Sequence, residues 1–257
     1  MSEAKILAVA NQKGGVGKTT TAVNLGAYLA LAVRVLLVDL DPQANATSSL
    51  GFDSNGAPLS TYDALIGLAR MSEAIVSSGR EGLDLAPASR ALAGAQVELV
   101  ELPDREQRLR QALAEVRERY DVILVDCPPS LGILTLNALV AADALLAPVQ
   151  CEYLALEGVS QLMETMDLVR ANLNPRLQLL GMLMTMYDPR TKLSSQVVDE
   201  VRRVFPDRTF ETVIPRSVRL SEAPSHGKPV LEYEPTSRGA GAYADLAQEL
   251  VRRGLLR

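Results

Sequence analysis

Between a short apolar run, Ile6 to Ala10, and a helical pattern opening at Thr19, the chain reads Asn-Gln-Lys-Gly-Gly-Val-Gly-Lys-Thr-Thr from Asn11 to Thr20. Gly14, Gly15 and Gly17 let backbone N–H groups curl around an anion, and the helix N-terminus behind them adds partial positive charge. Lys18 is placed to reach the β and γ phosphates of a nucleoside triphosphate, and the Thr19 hydroxyl to ligate Mg²⁺. Lys13, Gly14, Gly15, Val16, Gly17, Lys18, Thr19 and Thr20 are therefore the expected nucleotide-binding residues. The pattern departs from the standard phosphate loop: Gln12 stands where the first glycine of G-x-x-x-x-G-K-[ST] belongs, and a second lysine, Lys13, follows it.

Carboxylates gather at two later strand ends. VLLVDLDPQ places Asp39 and Asp41 two residues apart, on the same side of an extended chain, where an apolar run finishes. In an open α/β sheet that C-terminal edge is where ligands sit. VILVDCPPS places Asp126 after four apolar residues, the arrangement that holds Mg²⁺ through water beside a phosphate loop. Cys127 to Ser130 then forms the expected second switch, sensing the γ-phosphate. Asp121, ahead of the strand, reads as an exposed turn residue.

These groups need a sheet to align them. Apolar runs at Ile6–Ala10, Val33–Leu40, Leu83–Ala86, Val122–Val125, Ala144–Val149, Leu179–Met186 and Glu211–Ile214 read as strands, most of them buried on both faces as parallel sheets require. Helical patterns alternate with them: Thr19–Leu31, Thr61–Leu68, Asp104–Arg119 with Asp104 as N-cap, Gly132–Ala141, Gly158–Ala171, Ser194–Val204 and Gly241–Arg252. The alternation predicts one α/β domain over residues 1–257, a mostly parallel doubly wound sheet flanked by helices, with Gly51–Ser60 as a surface loop. A composition of 47% hydrophobic and 22% charged residues excludes bulk disorder. The longest uncharged stretch, Cys127 to Ala142, falls short of the roughly 20 apolar residues of a membrane span, and no signal-peptide pattern opens the chain, so a cytoplasmic location is expected. Two distant cysteines, Cys127 and Cys151, make no CxxC pair and are expected as reduced core thiols. Net charge is −5, but unevenly spread: from Met186 onward 12 basic residues face 10 acidic ones, against 14 and 21 before it. That leaves room for a local basic patch.

The loop with its extra lysine resembles the deviant Walker A ATPases, which include the ParA/Soj partition proteins, MinD, the nitrogenase iron protein and the ArsA type. Three further segments, PVQCEYLALEGVSQL from Pro148, LMTMYDPRTKLSSQVVDEVRRVF from Leu183 and VIPRSVRLSEAPSHGKPVLEYEPTSRGAGAYADLA from Val213, are similar to ParA/Soj over essentially the whole chain. The resemblance implies ATP and Mg²⁺ as ligands and slow ATP hydrolysis, with Lys13 reaching the nucleotide of a partner subunit. It implies Asp39 in the Mg²⁺ shell, Asp41 positioning the attacking water, and Lys13, Lys18, Asp41 and Asp126 as the catalytic set. It implies an ATP-dependent homodimer that binds double-stranded DNA non-specifically through Arg190 and Arg219, is released on stimulation by a ParB-type centromere-binding protein, and associates with the nucleoid. Lys192 and Arg216 flank those arginines and suit the same task; none of the four lies in a base-reading helix. Ala223-Pro-Ser-His-Gly-Lys-Pro229, with Pro215 nearby, reads as the loop covering adenine, and His226 is given no catalytic part because phosphoryl transfer needs none. The rival readings are a MinD-like membrane-recruited positioning ATPase, for which Arg252, Arg253 and Arg257 beside leucines give a weak amphipathic ending, and an iron–sulfur electron donor using the two cysteines. One departure from the family is the turn Leu31-Ala-Val-Arg34, which lacks the glycine usual before the second strand.

Overall fold

The computed structural model describes residues 3–54, 56–153 and 155–254; Arg257, part of the amphipathic ending, lies outside them. The elements run in the order β1 (Lys5–Val9), α1 (Lys18–Leu29), β2 (Val35–Asp39), α2 (Asn45–Ser49), α3 (Thr61–Ile66), α4 (Met71–Ala74), β3 (Val76–Arg80), β4 (Leu83–Ala86), α5 (Leu92–Glu98), α6 (Arg108–Ala114), β5 (Val122–Asp126), α7 (Ile133–Ala141), β6 (Ala144–Gln150), α8 (Ala155–Asn172), β7 (Gln178–Tyr187), α9 (Lys192–Val204), β8 (Thr209–Pro215), α10 (Val218–Glu222), α11 (Val230–Tyr233) and α12 (Arg238–Arg252). Eight strands form one sheet ordered β3-β4-β2-β5-β1-β6-β7-β8, parallel except for the β3–β4 pair.

Alternate residues of each central strand feed two separate cores. Ile6, Ala8, Leu36, Val38, Ile123 and Val125 pack with the helices of one face. Leu7, Val9, Leu37, Leu124 and Leu146 pack with α1 and α12 on the other. Because both faces are covered, polar groups belong only at the strand ends. The register then fixes which ones meet: Asp39 of β2 pairs with Asp126 of β5, and Val9, last residue of β1, also pairs with Asp126.

All seven expected strands are present, but Val33 and Arg34 belong to the turn before β2 and β3 was not foreseen. Its sequence, VSSGR, is polar, and the Glu81-Gly82 link turns it back antiparallel onto β4. Gly82, at φ 74°, also answers the missing glycine at Leu31–Arg34. A Cβ there would meet the Ala30 carbonyl oxygen at 2.5 Å, so the glycine lies across from the turn. The helix expected over Asp104–Arg119 is shorter. Asp104 takes φ 53° and its carbonyl accepts from Gln107, so α6 begins only at Arg108 and a separate 3-10 turn covers Arg117–Arg119. Aspartate is a good N-cap and also tolerates the left-handed region, and here the second property prevails. α9 and α12 start earlier than expected, each behind a hydroxyl cap: Thr191 accepts from the Ser194 N–H and Ser237 from the Ala240 N–H.

Candidate nucleotide site

The phosphate loop joins β1 to α1 at the C-terminal edge of the sheet. Gly17 sits at φ 90° as the residue before α1, a conformation closed to most side chains. Among the described residues, no protein acceptor takes the N–H groups of Gly14, Gly15 or Gly17. Unpaired donors at a helix N-terminus form an anion cradle. Two side chains hold its outer wall. The Thr185 hydroxyl, at the end of β7, donates to the Val16 carbonyl at 2.8 Å, and Asn11 donates to Pro148 O at 2.7 Å while accepting from the Lys13 N–H at 3.0 Å.

The two lysines diverge. Lys18 is buried, its Nζ donating to Lys13 O at 3.0 Å, so the ammonium spans the loop from inside. Burial lowers its pKa from the usual lysine value, opposed by Asp126 and the neighbouring acids. Lys13 is half-exposed, and its Nζ pairs at 3.4 Å with Glu152, in the loop after β6, instead of joining its own cradle.

Three carboxylates line the other side. Thr19 Oγ1 donates to Asp126 Oδ2 at 2.7 Å, and Asp126 Oδ1 is fully buried with no hydrogen-bond partner among the described residues. Burial, then the adjacent Asp39, raises the Asp126 carboxyl well above the ordinary carboxylate range. Asp39 is equally buried but satisfied: Oδ1 accepts from the Asp41 N–H at 3.1 Å, and Oδ2 from the Thr47 N–H and hydroxyl at 2.8 and 2.7 Å. Burial raises it to about 6 in spite of those donors. Asp41 bends the loop after β2, accepting from the Gln43 N–H at 2.9 Å through its side chain and from the Ala44 N–H at 2.8 Å through its carbonyl. One internal cation against three acids leaves a deficit that a divalent cation would relieve, and the orphaned Asp126 oxygen beside the Thr19 hydroxyl fits one.

Next to Gly17 and Thr20 opens a cavity of about 590 Å³, walled by Thr185, Ile214, Pro215, Leu220, Pro224 and Tyr243, with Arg216, Ser217 and Ser221 among its polar lining residues. Pro215 thus lies where a base would follow the phosphates. His226 is exposed and stacks on Tyr233 with ring centroids 4.8 Å apart, and among the described residues no catalytic group contacts it.

The basic loops leave adjacent strands on the same edge. Tyr187 of β7 pairs with Pro215 of β8, and the Arg216 N–H donates to Tyr187 O at 2.9 Å, which brings the loops carrying Arg190 and Arg216 together. Lys192 opens α9 and Arg219 lies on α10. All four are exposed. Arg190 forks onto Asp188 at 2.9 and 2.7 Å and holds that carboxyl down at about 2; Arg219 pairs with Glu222 at 2.8 Å. Thr185, Asn11 and Thr47 were not foreseen. The Thr185–Val16 bond spans 169 residues, and no local pattern signals it.

The family model described as AAA domain matches residues 4–179. The sporulation initiation inhibitor protein Soj of Bacillus subtilis is 55% identical over 251 residues, 97% of this chain and 99% of that protein. The chromosome-partitioning ATPase Soj of Thermus thermophilus is 54% identical over 256 residues, 98% of each chain. Among solved structures, a Mycobacterium smegmatis protein described as cobyrinic acid a,c-diamide synthase, with bound ATP analogue and magnesium, superposes with a TM-score of 0.86 at 43% identity, covering 97% of this chain and 95% of that one. A phosphate loop with a second lysine, aspartates in register at the ends of β2 and β5, and likeness along nearly the full length make this chain a member of the ParA/Soj family of chromosome-partition ATPases.

Proposed function

We propose that the chain is an ATP-driven DNA-partition switch in which ATP joins two copies into a dimer, the dimer holds duplex DNA through its phosphates, and hydrolysis stimulated by a ParB-type partner releases it. The observation that carries this reading is that one sheet edge holds the phosphate cradle, the acidic cluster, the base-sized cavity and the exposed basic loops. Closing that edge against a second copy couples nucleotide to DNA, since two half-sites on one duplex bind far more tightly than either alone. This reading places the chain on the nucleoid in the cytoplasm.

In the monomer site, the free N–H groups and Lys18 bind the triphosphate, and the cavity beside Pro215 takes adenine. Thr19 and Asp126 would hold Mg²⁺, which supplies charge neutralisation on the β and γ phosphates. Asp39 anchors the segment carrying Asp41 and Thr47 through the donors on its two oxygens, and Oδ1, which accepts a single hydrogen bond, would join the Mg²⁺ shell. Asp41 orients a water towards the γ-phosphorus; the new P–O bond forms as the bond to the β-phosphate oxygen breaks, giving ADP and phosphate. The electron-donor alternative has little support, because Cys127 is fully buried, Cys151 nearly so, and burial pushes the Cys151 thiol up to about 12. Membrane recruitment also has little: α12 packs Tyr243, Leu246 and Leu250 into the core, which leaves these apolar residues unavailable to a membrane surface.

Lys13 tests the dimer. Its pairing with Glu152 leaves its own cradle untouched, so Lys13→Ala should bind ATP within about threefold of the parent yet stay monomeric in light scattering, losing the charge needed in trans. An ATP-dependent dimer in the variant would refute the role. The arginines test DNA. Arg190→Ala and Arg219→Ala should each weaken binding to all sequences alike and reduce the salt slope by about 1 for every phosphate that is no longer neutralised. Asp188→Asn should strengthen binding, since Arg190 is then no longer shared with a carboxylate. Fluorescence anisotropy across a salt series checks all three, and unchanged affinity for the arginine variants would leave them as plain surface residues.

A further inference from the structure

We propose that Arg80 is a positioning residue for the nucleotide base, clamping the wall of the adenine cavity to the helix that follows the Asp41 loop. The proposal rests on the assignment of that cavity to adenine. Arg80 closes the edge strand β3, outside every motif of the phosphate site. Its five N–H groups are all engaged: Nη1 donates to Leu50 O and Ser78 O, both at 3.1 Å, Nη2 to Gly227 O at 2.8 Å and Glu232 Oε2 at 3.1 Å, and Nε to Glu232 Oε1 at 2.5 Å. No other described arginine uses its full fork, the geometry in which guanidinium is most selective.

Apart from Ser78, in the same strand, each acceptor residue belongs to a segment that shapes the site. Leu50 caps α2, the helix whose Thr47 grips Asp39. Gly227 ends the 3-10 turn Ala223–His226, whose Pro224 lines the cavity. Glu232 lies on α11 beside Tyr233, whose hydroxyl donates at 3.1 Å to Glu222 of α10, the helix contributing Leu220 and Ser221 to the cavity wall. The same α11 is moored to α1 by the Val230 N–H on Asn24 Oδ1 at 2.6 Å. The two loops meet backbone to backbone. Gly51 and Gly227 both take positive φ, and a Cβ on Gly227 would lie 2.7 Å from Gly51 Cα. That close approach lets one guanidinium take carbonyls from both, so the base wall and α2 behave as one body.

Truncating Arg80 strands Leu50 O and Gly227 O and leaves Glu232 without its partner, and none of these groups belongs to the phosphate loop. With the full chain in calorimetry, Arg80→Ala should weaken ADP by about tenfold and leave inorganic tripolyphosphate, which has no base, unchanged. Arg80→Lys keeps the charge near Glu232 but not the fork, so it should show the same selective loss in smaller measure; it carries the test should the alanine variant fail to fold. Glu232→Gln, which leaves both carbonyl bonds in place, should lose less than Arg80→Ala. Unchanged ADP affinity in the Arg80 variants, or an equal loss for ADP and tripolyphosphate, would overturn the proposal, the second by reducing Arg80 to general stability. A parent protein that binds tripolyphosphate no more weakly than ATP, which carries the same three phosphates, would instead overturn the adenine assignment beneath it.

Discussion

Lys18→Ala should weaken ATP binding by roughly 30- to several-thousand-fold, the equivalent of about 2 to 5 kcal/mol for removing one partner of a buried, hydrogen-bonded charge pair. Lys18 is buried, and its only hydrogen-bond acceptor among the described residues is the Lys13 carbonyl. Its charge therefore stands ready for a ligand. Among the described residues of the loop no second free cation can substitute: the Lys13 ammonium is occupied with Glu152, and the cradle otherwise offers backbone N–H and threonine hydroxyl groups. Isothermal calorimetry at the parent's saturating ATP concentration measures the effect. Affinity within threefold of the parent would contradict the phosphate-loop assignment.

Asp41→Ala should separate binding from chemistry. Turnover should fall by about 10² to 10⁴, the usual worth of a group that handles the proton and position of an attacking water, while ATP affinity stays within about threefold because Lys18, Thr19 and Asp126 remain. The geometry supports that separation. Asp41 has one carboxylate oxygen on the Gln43 N–H, and the loop that carries it is held independently by Asp39 on Thr47. The variant should accumulate as an ATP dimer on DNA and lose stimulation by the partner, which can accelerate only a reaction whose water is placed. Phosphate release measured beside DNA retention after ATP withdrawal decides it: normal hydrolysis, or joint loss of ATP and DNA, contradicts the role.

What the sequence displayed most clearly was local. Lys13 to Thr20 are contiguous, Asp126 directly follows four apolar residues, and strands buried on both faces stand out as unbroken aliphatic runs. The short elements around the base cavity did not stand out. α2, α10 and α11 span four or five residues each, too few for a 3.6-residue period to show. β3 is polar because it closes the sheet on one side, and its Arg80 acts across separations of 30 and 147 residues. The engagement of Asp39 was hidden for a similar reason: the spacing placed it at the strand end, but only α2 folding back shows that Thr47 satisfies it. The pairing of Arg190 with Asp188 is different, since it was within reach of a local reading: the carboxylate is two residues away.

The central claim is that ATP, and not ADP, turns this chain into a DNA-binding dimer. Light scattering and DNA binding measured on one preparation with ATP, ADP and no nucleotide test it most directly. The account predicts a dimer that binds any duplex with ATP and Mg²⁺, its affinity falling steeply with salt, and monomers with little DNA affinity in the other two conditions. Equal DNA affinity in all three, or an ATP dimer that ignores DNA, would contradict it.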